Sequence, residues 1–140
     1  MERWDFGRIA YGEVVKTKPS FANSWECPEG CTFTDDLGVE YQTWEGDEIV
    51  IKRFVVTANN RGRIPFGIDH ALDSQSVLKT VERKTGKTLK CVRHEDNGNI
   101  PPGILFCSAE VTGGDPGVFL NVIFGMDGRL KEIELFTHYI

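Results

Sequence analysis

Residues 115–136 read DPGVFLNVIFGMDGRLKEIELF, and this stretch decides the fold. Residues 118–124 form a run of β-branched and aromatic side chains that breaks at Gly125-Met126-Asp127-Gly128, and a second apolar run opens at Leu130. Such runs favour extended backbone, and glycine supplies the positive φ that a tight turn requires. The spacing therefore predicts a β-hairpin. An echo lies upstream: Asp36-Leu37-Gly38-Val39, then Tyr41 and Trp44, then Glu45-Gly46-Asp47-Glu48, then the apolar residues 49–56. The strand–turn–strand unit thus occurs twice, as in a degenerate duplication.

Between the two copies lies a helical pattern. Asp73 or Ser74 offers a short oxygen-bearing side chain to the orphan N–H groups of a first turn. Val77, Leu78 and Val81 then make an apolar stripe, Lys79, Arg83 and Lys84 point elsewhere, and Gly86 suits the position after the last turn. This predicts one amphipathic helix over residues 74–85. Strands are expected at 88–94 and 104–111, with a turn through Asp96-Asn97-Gly98-Asn99 and a break at Pro101-Pro102-Gly103; residues 112–117 then turn the chain into the hairpin. A helix followed by four strands on tight turns requires an antiparallel meander with the helix on one face. Upstream, residues 8–15 are expected as a strand bent at Gly12, 20–26 as a short helical turn, and 31–34, 39–45 and 49–57 as strands. The expected class is α+β. Residues 1–140 form a single domain, with an acidic, β-rich part at 1–60 and a helix-plus-meander part at 61–140.

Composition narrows the function classes. A chain of 140 residues with 40% hydrophobic content and nine Phe carries enough apolar matter for one core and is far from a disordered chain. No window approaches the ~18 continuous apolar residues of a membrane helix, and the opening Met1-Glu2-Arg3-Trp4-Asp5 does not resemble a signal peptide. The expectation is a cytoplasmic protein that does not enter membranes, with Cys27, Cys31, Cys91 and Cys107 as free thiols. Cys27 and Cys31 lack the second pair that would complete a tetrahedral metal site, so neither a metal nor a cofactor is expected. Cys91 and Cys107 are equidistant from Asn99, which lets them face each other across a hairpin; they are read as small core residues.

Charge is unevenly spread. The net −5 falls entirely on residues 1–60, and residues 19–51 hold Glu26, Glu29, Asp35, Asp36, Glu40, Glu45, Asp47 and Glu48 with no Lys or Arg. Residues 79–93 hold Lys79, Arg83, Lys84, Lys87, Lys90 and Arg93 against the single acid Glu82. Because nucleic-acid domains usually carry an excess of positive charge, the basic strip is read as a solvated face and no direct nucleic-acid partner is expected. The acidic stretch is interleaved with Trp25, Phe33, Tyr41 and Trp44, which combines long-range attraction for a basic partner with aromatic anchors. Strand alternation would produce the same pattern with the aromatics inward and the acids merely solvated.

Catalytic signatures are scarce. His70 follows Asp69, His94 sits beside Glu95 and His138 is near the end, with neither metal spacing nor a nucleophile between them. The glycine-rich residues 112–117 lack the lysine and following helix of a phosphate-binding loop.

Ile64-Pro65-Phe66-Gly67-Ile68, a helix containing Ser76-Val77, and a late Val122-Ile123-Phe124 followed by Asp127-Gly128-Arg129-Leu130-Lys131-Glu132-Ile133 resemble small bacterial immunity proteins. These are the cytoplasmic partners that neutralise toxins delivered by contact-dependent growth inhibition and related systems. The resemblance covers residues 64–136. It implies binding without turnover, on a cognate toxin domain, and many such toxins are nucleases with basic clefts. An acidic inhibitor would be steered quickly to such a cleft. The face expected to make the contact bears Asp35, Asp36, Glu40, Tyr41, Trp44, Glu45, Asp47 and Glu48. Two alternatives stand beside it: a small-ligand or enzyme pocket near Asp69 and His70, and an adaptor that self-associates through sheet edges.

Overall fold

The chain forms β1 (Thr32–Thr34), β2 (Glu40–Thr43), β3 (Ile49–Val55), a helix α1 (Ser74–Thr85), then β4 (Lys90–Arg93), β5 (Leu105–Thr112), β6 (Val118–Phe124) and β7 (Leu130–Thr137). This computed structural model describes residues 1–93, 103–114 and 117–137, without the side chain of Glu45. The expected turn at 96–99, and with it His94, Glu95, Asn99, Pro101, Pro102, Asp115, Pro116 and His138, lies outside the described residues.

The decisive hairpin forms where it was expected. The Gly125 N–H donates to the Arg129 carbonyl at 2.9 Å, the Gly128 N–H donates to the Gly125 carbonyl at 3.0 Å, and Gly128 takes φ 77°. Among the described residues, seven strands join one antiparallel sheet in the order β1-β2-β3-β7-β6-β5-β4. The three-stranded and four-stranded meanders are therefore fused through the β3–β7 ladder, which sequence spacing could not reveal. The α+β class holds.

Register sorts the side chains into two faces. On the inner face Tyr41, Lys52, Leu135, Leu120 and Ala109 stand side by side across the strands, and Phe54, Ile133, Val122 and Cys107 form the next row; all are buried. Helix α1 adds Val77 and Val81 to the same core. Asp73 caps it, its carboxylate accepting the Ser76 N–H at 2.8 Å, and Gly86 closes it in the left-handed conformation with φ 73°. The guanidinium of Arg3 donates to the carbonyls of Lys84 and Arg83 at 3.1 and 3.0 Å, satisfying acceptors that a helix end leaves open.

The first 31 residues depart from expectation. Residues 8–15 are not a strand: they cross the end of β3 in irregular backbone, where the Gly12 N–H reaches the Ile49 carbonyl and the Val15 N–H the Asp47 carbonyl. Residues 20–26 make a turn closed by the Ala22 N–H on the Pro19 carbonyl, not a helix. The apolar residues that suggested a strand instead cap the inner face, with Phe6, Ile9, Val15 and Ala22 in the core. Tertiary burial outweighs local propensity here.

The cysteines also differ. Cys27 pairs with Cys31, and Cys91 with Cys107, which sits directly opposite it on β5. The thiols expected to be free are two disulfides, because the ladder and the turn bring each pair's Cα atoms to 3.9 and 4.1 Å.

Candidate functional site

At the end of the sheet where β2 turns into β3, residues 45–47 make a single 3₁₀ turn. Gly46 and Asp47 both have positive φ, 84° and 61°, the latter a conformation that aspartate tolerates better than most residues. The turn ends in Glu48, whose carbonyl accepts the Trp44 N–H at 3.2 Å. Trp44 is 55% exposed, an unusual state for so large an apolar ring. Beside it an open groove of about 340 Å³ is lined by Gln42, Thr43, Trp44, Val50, Ile51, Phe136 and Thr137. Val14, 49% exposed, bridges to Glu48 from the N-terminal segment.

The groove borders a charged cluster on the outer face. Gln42 donates from Nε2 to Glu40 Oε1 at 3.3 Å. Two residues further along the same face, Arg53 follows Ile51 and Glu134 precedes Phe136. The Arg53 guanidinium lies 2.9 Å from Glu132, 3.7 Å from Glu134 and 3.9 Å from Glu40, so three carboxylates surround one cation. Arg53 Nε is buried and too poorly aligned with Glu132 for a hydrogen bond, leaving this contact an ion pair alone. Burial, then the neighbouring Glu134, push the Glu132 carboxyl above the usual glutamate range, with Arg53 pulling the other way.

The expected contact residues divide among four places. Asp35 and Tyr41 are withdrawn from any surface: Asp35 is 1% exposed and Tyr41 fully buried. The Tyr41 hydroxyl donates to Asp35 at 2.5 Å and accepts the N–H groups of Arg8 and Ile9 at 2.8 and 3.3 Å, while the same carboxylate takes the Leu37 and Val39 N–H groups. Desolvation and the Asp35 hydrogen bond drive the Tyr41 phenol far above its ordinary range. Asp36 is exposed at the opposite end of β2, paired with Arg8, which holds its carboxyl below the usual range. Glu40 belongs to the Arg53 cluster. Only Trp44 lines the groove; Glu45, Asp47 and Glu48 belong to the turn that follows it. Of the interleaved aromatics, Phe33 stacks on Tyr41 at 5.0 Å and Trp25 lies tilted against Phe33 at 5.1 Å, so the inward placement of aromatics holds for these and fails for Trp44.

Sequence reasoning missed Val50, Ile51, Phe136 and Thr137, because β3 meets β7 only in the assembled sheet. It also missed the buried pair beneath. Lys52, fully buried, donates to Asp5 at 2.5 Å and to the Phe6 carbonyl, and its ammonium lies 5.6 Å from the ring centres of Phe6 and Tyr41. A lysine between Ile51 and Arg53 in a strand carries no sign of its inward position except its place in the alternation.

The alternative centre is plainer. His70 Nδ1 lies 3.7 Å from Asp69 Oδ1, both side chains are well exposed, and the same aspartate oxygen accepts the Ala71 N–H at 2.9 Å as in an ordinary turn. Neither residue lines the groove. Among the described residues no three His, Cys, Asp or Glu side chains come together as a metal site, and no helix is long and apolar enough to cross a membrane. Compared with models of known protein families, with curated proteins and with solved structures, the chain matches none.

Proposed function

We propose that this protein binds and neutralises a basic partner domain, in the manner of a toxin-immunity protein, and that it docks with the Trp44–Glu48 end of its sheet. One observation carries the reading: a tryptophan that the fold leaves 55% exposed, set on an open groove and followed within four residues by Asp47 and Glu48. Exposed aromatics at the centre of a contact supply much of its energy, and rim charges set encounter rate and salt dependence. The absence of Lys and Arg from residues 19–51 keeps the approach to this end attractive to a cation-rich surface.

The test is capture of partners by the tagged protein from its native cells, with the product of the neighbouring upstream gene, followed by calorimetry. A one-to-one complex is expected, weakened by salt, with W44A costing at least 2 kcal/mol, as hot-spot truncations do. A complex indifferent to W44A and to joint reversal of Asp47 and Glu48 to Lys would refute the chosen face. The cysteines bear on the compartment. Disulfides persist in oxidising compartments, whereas the cytoplasm keeps thiols reduced. The cytoplasmic location proposed from the immunity reading thus requires four reduced thiols in the cell, which alkylation on lysis would reveal as labelled Cys27, Cys31, Cys91 and Cys107.

A further inference from the structure

The groove beside Trp44 has a composition that narrows its occupant. Its walls are an indole, a phenyl ring and two aliphatic side chains, from Trp44, Phe136, Val50 and Ile51. At about 340 Å³ it lies at the small end of ligand cavities, which run from roughly 300 to 1,000 Å³. This is space for one or two side chains rather than a nucleotide-sized cofactor. Both borders are acidic. At one end the turn that follows the lining residue Trp44 carries Asp47 and Glu48; on the other side, Glu40, Glu132 and Glu134 outnumber Arg53, and Gln42 links this cluster directly to the groove wall.

An apolar slot between two negative borders fits a side chain that is itself apolar along its stem and cationic at its tip. Lysine and arginine bury their methylene stems against apolar surface while holding the charge at a polar rim. A guanidinium above an exposed indole gains a further cation–π attraction, stronger for tryptophan than for the other rings. A wholly apolar side chain would leave both carboxylate borders without a counter-charge, and an acidic one would be repelled.

We infer that the groove lined by Trp44, Val50, Ile51 and Phe136 receives an arginine or lysine side chain presented by an extended segment of the partner protein, with Glu48 and Asp47 facing its charge. This rests on the binding reading above and adds to it the chemistry of the group that is held.

Three acetylated and amidated hexapeptides test it: alternating arginine and leucine, alternating citrulline and leucine, and alternating glutamate and leucine. Citrulline keeps the shape of arginine and removes its charge. Binding to the full chain is read by tryptophan fluorescence and by methyl shifts of Val50 and Ile51. The arginine peptide is expected to bind at least tenfold more tightly than the citrulline one and to weaken as salt rises; the glutamate peptide is expected not to bind. E48K should reduce the arginine affinity by tenfold or more, and W44A should abolish the methyl shifts while the circular dichroism spectrum is unchanged. Equal binding of the arginine and citrulline peptides, no binding of either at millimolar concentration, or shifts confined to other methyls would overturn the inference. A chain that captures a partner yet ignores peptide charge would overturn only the groove assignment. A chain that takes the arginine peptide and captures no partner would overturn only the immunity reading.

Discussion

Lys52 is the residue on which the inner face turns. It follows Ile51 and precedes the charged Arg53, and the alternation sends its side chain, not that of Arg53, into the core, where Asp5, the Phe6 carbonyl and two aromatic rings receive it. Burial presses its ammonium below the usual lysine range, while Asp5 pulls the other way. The Asp5 carboxylate in turn accepts the Phe6 and Tyr11 N–H groups, both at 2.8 Å, so the pair staples the N-terminal segment to β3. Removing one partner of such a pair strands the other charge in a dry interior. K52M is therefore expected to cost about 3–5 kcal/mol in urea unfolding, and a cost below about 1 kcal/mol would show that the segment is held by its apolar contacts instead. Trp44 is the counterpart at the surface. Three residues after Tyr41, it falls out of phase with the inward Tyr41 and Thr43 and joins Gln42 on the outer face.

At the scale of elements, β4 depends most on cross-links. It is a four-residue edge strand, all of it exposed, and its one neighbour is β5. The Cys91–Cys107 disulfide closes a loop with a sequence separation of 16, for which constraint of the unfolded chain is worth about 3 kcal/mol. C91S/C107S is expected to lower unfolding free energy by roughly that amount and to speed amide exchange in β4 before the rest of the sheet. Unchanged exchange in β4 would mean that the ladder alone holds it. Helix α1 and the β6–β7 hairpin lie at the other extreme: caps, stripe and turn glycines all agree with one another, so both were legible at residue resolution. Residues 8–15 and 20–26 were not, because their backbone finds partners on distant elements and no local rule encodes that.

For the whole molecule, one sheet with two unlike faces sets both stability and the candidate contact. The outer face gathers Glu40 from β2 and Glu132 and Glu134 from β7 around Arg53 on β3. Glu132 binds its proton more tightly folded than unfolded, so from the unfolded value of 4.5 upward the native state holds the extra proton. Stability from this group is full below that pH and is lost as pH rises through the raised native value. E132Q is accordingly expected to flatten the decline of unfolding free energy between pH 4.5 and neutrality, measured by urea titration at several pH values. A steeper decline in E132Q would place the raised proton affinity elsewhere in the cluster.

From the sequence by itself came the α+β class, the helix over residues 74–85, the terminal hairpin and the acidic, cation-free character of residues 19–51, because periodicity, caps and turn residues act over a few positions. Tertiary structure alone decided the rest. The β3–β7 ladder brought Phe136 beside Ile51 to make the groove with Trp44 and set Arg53 beside Glu132 and Glu134. Each of these is a meeting of residues far apart in the chain. Which of them meet depends on strand order, and strand order is chosen by burying the whole apolar face at once rather than by any local preference.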